Sequence, residues 1–94
     1  MTNMPVMETR LIITNKVGLH ARPAALLVQT AAQFQSKIQV QLGERVVNAK
    51  SILSVMKLGA TVGSTIVVRA EGEDAEQALA ALRDLVYRKF DEEE

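Results

Sequence analysis

His20 is the only histidine among the 94 residues, and it stands where the glycine-containing segment NKVGL runs into the stretch ARPAALLVQTAAQF. If that stretch is a helix, His20 lies at its start, where the first backbone N–H groups have no partner and the macrodipole favours anions. An imidazole is substantially neutral at pH 7, so one ring nitrogen can act as a nucleophile without a strong auxiliary base. A phosphoryl group carried on that nitrogen would meet donors already in place. The phosphoramidate so formed is labile, which suits passing the group on better than storing it. Arg22, two residues further along, could add a bidentate contact to phosphoryl oxygens that lysine would not match. The residues alone leave a plainer alternative open, a loop histidine with no role or one standing in as the helix N-cap.

Composition removes other chemistries. Without cysteine there can be no disulfide, thiolate nucleophile or zinc–thiolate site, and no metal or cofactor is expected. Eleven basic residues balance eleven acidic ones, so the chain lacks the positive field of a non-specific nucleic-acid binder. The start, MTNMPVMETR, has no secretory pattern and no membrane-spanning apolar run follows, giving the expectation of a soluble, cytoplasmic protein with no membrane insertion. A length of 94 residues suits one domain, 1–94, and a monomer is expected. Residues 1–6 and 91–94 are expected to be loosely ordered, the terminal DEEE as a frayed, solvated run.

The elements that must position His20 follow from periodicity. Met7, Thr9, Leu11 and Ile13 alternate as in a half-buried strand. Pro23 suits a first helical turn, and Ala24, Leu27, Val28, Ala31 and Phe34 share one helical face. Ile38, Val40 and Leu42 mark a second strand, Gly43-Glu44 a two-residue turn, and RVVNA a third strand. Ser51 is a good N-cap for a short helix, SILSVMKLG, that stops at Gly59. A strand, STIVVRA, precedes a long helix with Leu79, Leu82 and Val86 on its inner stripe, and Asp74 and Gln77 have capping-box spacing at its start. The order β-α-β-β-α-β-α predicts an α+β fold, an open-faced β-sandwich whose four-stranded antiparallel sheet is covered on one face by three helices.

The string GLHARPAALLV resembles the active-site signature of the HPr phosphocarriers, and NAKSILSVMKLGA resembles that family's second helix with its regulatory serine. The resemblance covers the chain from about Met7 to about Val86, with both motifs at the family's separation and in the family's element order. It implies a non-enzymatic carrier of the phosphoenolpyruvate-dependent sugar phosphotransferase system. His20 would take a phosphoryl group on its δ nitrogen from Enzyme I and deliver it to IIA components of sugar permeases, with Arg22 stabilising the group. It further implies that Ser51, bottom-up a helix N-cap, is the serine phosphorylated by HPr kinase/phosphorylase. The surrounding Lys50-Ser51-Ile52-Leu53 looks closer to the form that accompanies that kinase, and a catabolite-control transcription factor is then a possible partner. An added dianion at a helix start is tolerable, so modification would alter the surface more than the fold.

Within SILSVMKLG, Ile52 and Met56 are expected in the core, while Leu53, off that stripe, would join Val17 in an exposed apolar docking patch. Arg45, Lys50 and Lys57 would form a basic rim facing acidic partner surfaces, although each could equally be a solvated charge. Two features depart from the family's pattern, the longer amino end 1–6 and Val17, where some relatives place a polar residue able to reach the phosphoryl group. Alternatives are a regulatory module acting through phospho-Ser51, against which the intact GLHARP argues, and a carrier of a nitrogen branch or dihydroxyacetone relay.

Overall fold

In the computed structural model, which describes residues 4–92, the expected order is realised. It runs β1 (Val6–Ile12), α1 (Ala21–Ala31), β2 (Lys37–Leu42), β3 (Arg45–Asn48), α2 (Ile52–Lys57), β4 (Thr65–Glu71) and α3 (Ala75–Tyr87), followed by a single 3-10 turn at Lys89–Asp91. The strands form one antiparallel sheet in the order β1-β4-β2-β3.

Register follows the alternation of side chains. Leu11 lies opposite Ile66, Val40 opposite Val68 and Ile38 opposite Ala70, and all six are buried on the inner face. A slip of one residue would turn this set to solvent. The outer face carries charge instead, including the Glu8–Arg69 pair at 3.6 Å, which at such exposure contributes little. Against the inner face α1 buries Pro23, Ala24, Leu27 and Ala31, and α3 buries Ala75, Ala78, Leu79, Leu82, Leu85 and Val86. Each large side chain so buried contributes roughly 1.5–3 kcal/mol, and the alanines let the helices come close to each other.

The short helix departs from expectation. Ser51 caps α2, its Oγ accepting from the Ser54 amide. Yet the helix buries only Val55, with Leu58 beneath its C-terminal end. Ile52 and Met56 are 40% and 38% exposed, so the apolar positions expected in the core face outward. Six residues make less than two full turns, and the inward direction is satisfied by the Val55–Leu58 step alone. Met7 likewise lies at the sheet's end and is exposed despite its alternation with buried Leu11.

Asp74 also departs from its expected role. It occupies the N-cap of α3 but makes no side-chain cap bond. Its carboxylate instead accepts from the Gln35 amide at 2.8 Å, the Ser36 amide at 2.9 Å and the Ser36 hydroxyl. The turn after α1 thus supplies converging donors that outweigh the helix's own amide. Here Gly72 is obligatory, because a Cβ would lie 2.5 Å from Ser36 Oγ. The Ser36 hydroxyl, then the Gln35 amide, hold the Asp74 carboxyl below the usual carboxylate range.

Two connections are laced together at the other end of the molecule. Ile13 N donates to Ser64 O at 2.9 Å, Gly63 N to Ile13 O at 2.8 Å and Leu19 N to Ala60 O at 3.0 Å. Gly18 sits at φ +64°, and a Cβ there would fall 2.5 Å from the Ala60 oxygen and 2.8 Å from Thr61 Cα.

Where they are described, the chain ends make defined contacts. Val6 belongs to β1, and Pro5 O accepts from Gly72 N at 2.9 Å. Lys89, Phe90 and Asp91 turn left-handed at φ 55°, 55° and 59°, which costs roughly 1–2 kcal/mol per residue, while Phe90 is fully buried. Asp91 lies 3.4 Å from Arg88 and Glu92 accepts from Asn15. Residues 1–3 and 93–94 lie outside the described residues. No helix among the described residues is long and apolar enough to cross a membrane.

Two outcomes test this architecture. A carboxyl held low in the native state adds stability that is complete above its unfolded value and is lost as pH falls through the lowered one. Denaturant midpoints of the wild type should therefore fall as pH drops below about 4, and Asp74→Asn should lower the midpoint at pH 7 and flatten that acid limb. An unchanged acid limb would refute the Asp74 bonding. Gly18→Ala should cost on the order of 2 kcal/mol or more, from strain and the clash with Ala60, and a thermal midpoint equal to wild type would contradict the lacing.

Candidate functional site

The turn from β1 into α1 alternates sharply in burial. Gly18 and Leu19 are buried, His20, Ala21 and Arg22 are exposed, and Pro23 and Ala24 are buried again. The bond from Leu19 to Ala60 pins one side of the histidine and buried Pro23 pins the other. His20 is therefore presented to solvent on a fixed backbone.

His20 is itself the N-cap of α1, with extended backbone at φ −77° and ψ −178°. Its carbonyl accepts from Ala24 N at 2.8 Å, while its imidazole makes no capping bond. The backbone performs the capping and leaves both ring nitrogens uncommitted, which disposes of the N-cap substitute as the reason for the side chain. Among the described residues the Ala21 and Arg22 amides donate to no carbonyl, and Pro23 has no amide hydrogen. The helix start thus keeps two donors beside the histidine, with no acidic residue in its first turn to compete for them. Arg22 is exposed and makes no hydrogen bond or ion pair within the described residues. Its guanidinium is available to an incoming dianion.

Asn15 was not singled out by the sequence, yet it is fully buried beneath this loop. Its Nδ2 donates to Gly18 O at 2.9 Å and to Glu92 Oε1 at 2.6 Å, and its backbone carbonyl accepts from Gly18 N at 3.2 Å. A signal did exist, an amide residue at the end of a strand three residues before glycine, a usual loop-stapling position. Nothing local could indicate that Glu92 would come back to it.

Near Ser51 the arrangement is only partly as expected. Ser51 is half-buried, and its Oγ also donates to Ser54 Oγ at 2.9 Å. Exposed apolar side chains are more numerous than Val17 and Leu53 alone. Ile52, Leu53 and Met56 lie on α2, and Val17 and Val62 on the two laced connections, with Leu53 the most exposed of the five at 66%. Two residues of the expected basic rim already have structural partners. Lys50 Nζ donates to the Phe34 carbonyl at 2.7 Å beyond the end of α1, and Arg45 Nη1 donates to the Lys57 carbonyl at 3.2 Å at the end of α2, both favourable placements for a cation. Lys57 projects an exposed side chain at that same end.

Among the described residues no group of acidic, histidine or cysteine side chains could hold a metal ion, and no enclosed pocket exists. His20 and Arg22 stand on the exposed surface of the molecule, as do Ile52, Leu53 and Met56 of α2.

Known proteins share this arrangement. The family profile described as "PTS HPr component phosphorylation site" matches residues 7–88. The phosphocarrier protein HPr of Xylella fastidiosa (strain 9a5c) is 49% identical over 88 residues, covering 94% of this chain and 99% of the relative. A crystal structure of HPr from Thermoanaerobacter tengcongensis superposes with a TM-score of 0.90 at 51% identity, over 94% of this chain and 99% of that one. One from Bacillus anthracis superposes with a TM-score of 0.83 at 44% identity, over 86% and 96%. With a single histidine held at the open end of a helix and likeness along nearly the whole chain, the chain belongs to the HPr family of phosphocarrier proteins of the phosphotransferase system.

Proposed function

We propose that His20 accepts a phosphoryl group through its δ nitrogen from a phosphohistidine of Enzyme I, charged by phosphoenolpyruvate, and passes it to IIA components of sugar permeases. The observation that carries this reading is the uncommitted imidazole of His20 beside the unpaired amides of Ala21 and Arg22. In the forward step the lone pair of the ring nitrogen forms the new P–N bond while the donor's P–N bond breaks and its electron pair returns to the donor imidazole. The phosphoryl oxygens keep their charge throughout, and the amides and the Arg22 guanidinium stabilise it. Because such donors serve the group before and after transfer, they hold it without making the transfer irreversible. A reaction so arranged needs no acid–base pair and no metal, and the protein acts as a stoichiometric intermediate. Delivery to IIA components is the same exchange in reverse sense, with His20 as the donor.

The exposed Val17, Ile52, Leu53, Met56 and Val62 supply the apolar centre of a docking surface, and Lys57 a charge at its margin. Ser51 stands at the start of the helix that carries three of these side chains. Phosphorylation there by an HPr kinase/phosphorylase would remove the hydrogen bond donated to Ser54 Oγ and set a dianion at the edge of the apolar surface. Docking of Enzyme I would weaken, and a surface for a catabolite-control transcription factor would be created. The serine and its Lys50-Ser51-Ile52-Leu53 surroundings favour the sugar branch over a nitrogen or dihydroxyacetone relay.

Incubation with phosphoenolpyruvate and purified Enzyme I, followed by intact-mass measurement, should show the gain of one phosphate that is lost in acid. His20→Ala should gain none while keeping a wild-type circular dichroism spectrum, and phosphate uptake by that variant would end the His20 assignment. Arg22→Ala should slow uptake by roughly tenfold, the effect of one charge-assisted contact, with the same final stoichiometry. For Ser51→Asp the expected change is a rise of roughly tenfold in KM for the carrier in the Enzyme I reaction, and equal KM values would refute the regulatory reading.

A further inference from the structure

The carboxyl end of the described chain returns to the loop that presents His20. Lys89, Phe90 and Asp91 take up left-handed backbone, a conformation that residues with side chains avoid unless their surroundings impose it. Two contacts impose it here. Phe90 is fully buried in the core, and Glu92 Oε1 accepts from Asn15 Nδ2 at 2.6 Å.

Asn15 is the residue that holds Gly18 from within, through its Nδ2 to Gly18 O at 2.9 Å and its own carbonyl to Gly18 N at 3.2 Å. Among the described residues its Oδ1 is buried and has no partner, so no described group holds the amide from its oxygen side. The orientation of the side chain rests on the two acceptors of Nδ2, which are Gly18 O and the Glu92 carboxylate. Of these the carboxylate is the charged and shorter contact, the stronger kind of hydrogen bond. Taking it away would leave a buried amide with a single bond, free to rotate and to release Gly18.

We propose that Glu92 is a positioning residue for His20, and that residues 89–92 form a strap whose bond to Asn15 fixes the segment from Gly18 to His20. The proposal rests on the phosphohistidine reading given above. It makes the carboxyl end a control point for phosphoryl acceptance, since whatever draws Glu92 away loosens the loop without touching the docking surface on α2.

The test compares the wild type with Glu92→Ala, Glu92→Gln and Asn15→Ala. Amide hydrogen exchange is read by NMR at Gly18 and Leu19, with Val68 as a core reference, and the kinetics of phosphoryl uptake from Enzyme I are measured alongside. In Glu92→Ala, exchange at Gly18 should rise roughly tenfold over Val68, and kcat should fall several-fold with a smaller change in KM, because positioning is lost while the α2 part of the docking surface is kept. Glu92→Gln, whose amide oxygen still accepts, should recover most of both, and Asn15→Ala should reproduce the loss. Unchanged exchange in Glu92→Ala, or faster exchange with wild-type kcat, would overturn the proposal, as would Glu92→Gln behaving like Glu92→Ala, which would point to charge alone. A wild type that takes up no phosphate would overturn the phosphohistidine reading and the role in transfer together. The exchange measurement would then still report separately whether the strap holds the loop.

Discussion

The contact between Gly18 and the backbone of Ala60 and Thr61 is the constraint from which the working end of the molecule is built. With Gly18 at φ +64° and any Cβ excluded by the Ala60 oxygen, the chain leaving β1 can press against the connection that follows α2. The hydrogen bonds from Leu19 to Ala60 and between Ile13 and residues 63–64 then close. This joins the segment that carries His20 to one that begins at the end of α2. His20 and the exposed face of α2 are thereby held in one frame although 31 positions separate His20 from Ser51. On the reading proposed above, a partner that docked on α2 would find the imidazole at a set place, and such positioning matters more to a transfer reaction than any single contact to the transferred group.

The electrostatics of the site depend on what is missing from α1 as much as on what is present. An ordinary N-cap side chain would consume one of the free amides. Here the cap is the His20 carbonyl bond to Ala24, with no side-chain cap bond and no acidic residue in the first turn. Pro23 sits in the first turn of the helix without adding a donor that would need a partner, and it is buried, so it also anchors the turn. The result is a pair of unpaired backbone amides, those of Ala21 and Arg22, beside the His20 ring. It leaves donors unsatisfied by protein and exposed to water until an anion arrives. Helix stability is supplied elsewhere, by the buried stripe of α1 against the sheet and α3.

At the far end of the fold the same economy is reversed. Asp74 gives up its own helix amide to satisfy Gln35, Ser36 and the Ser36 hydroxyl. The turn after α1 and the start of α3 become one unit, with Gly72 permitting the close approach. The two ends of α1 are thus treated oppositely. Its exit is tied down by a carboxylate and by Lys50 on the Phe34 carbonyl, while its entrance keeps unpaired amides.

Much was determined by the sequence alone. Alternating and helical periodicities are local properties, so the strands, the helices, the antiparallel open-faced sandwich and the one-sided core could be read from Leu11, Ile38, Val40, Leu27 and Leu82 without coordinates. The position of His20 before Pro23, with Arg22 beside it, placed the histidine at a helix start, where the first amides are unpaired in any fold. Other features were settled by tertiary structure, for the common reason that the partner is distant in the chain. Asp74 and Gln77 have the spacing of a capping box, but spacing cannot count the donors that the turn after α1 brings to the carboxylate. Ile52 and Met56 share a stripe on paper, yet the direction of the core relative to a six-residue helix is set by what that helix packs against, and it selects Val55. Lys50 and Arg45 read as free charges until the carbonyls of Phe34 and Lys57 come within reach. The acidic end reads as a solvated tail, and becomes a strap only because Phe90 finds the core and Glu92 finds Asn15, 77 positions earlier.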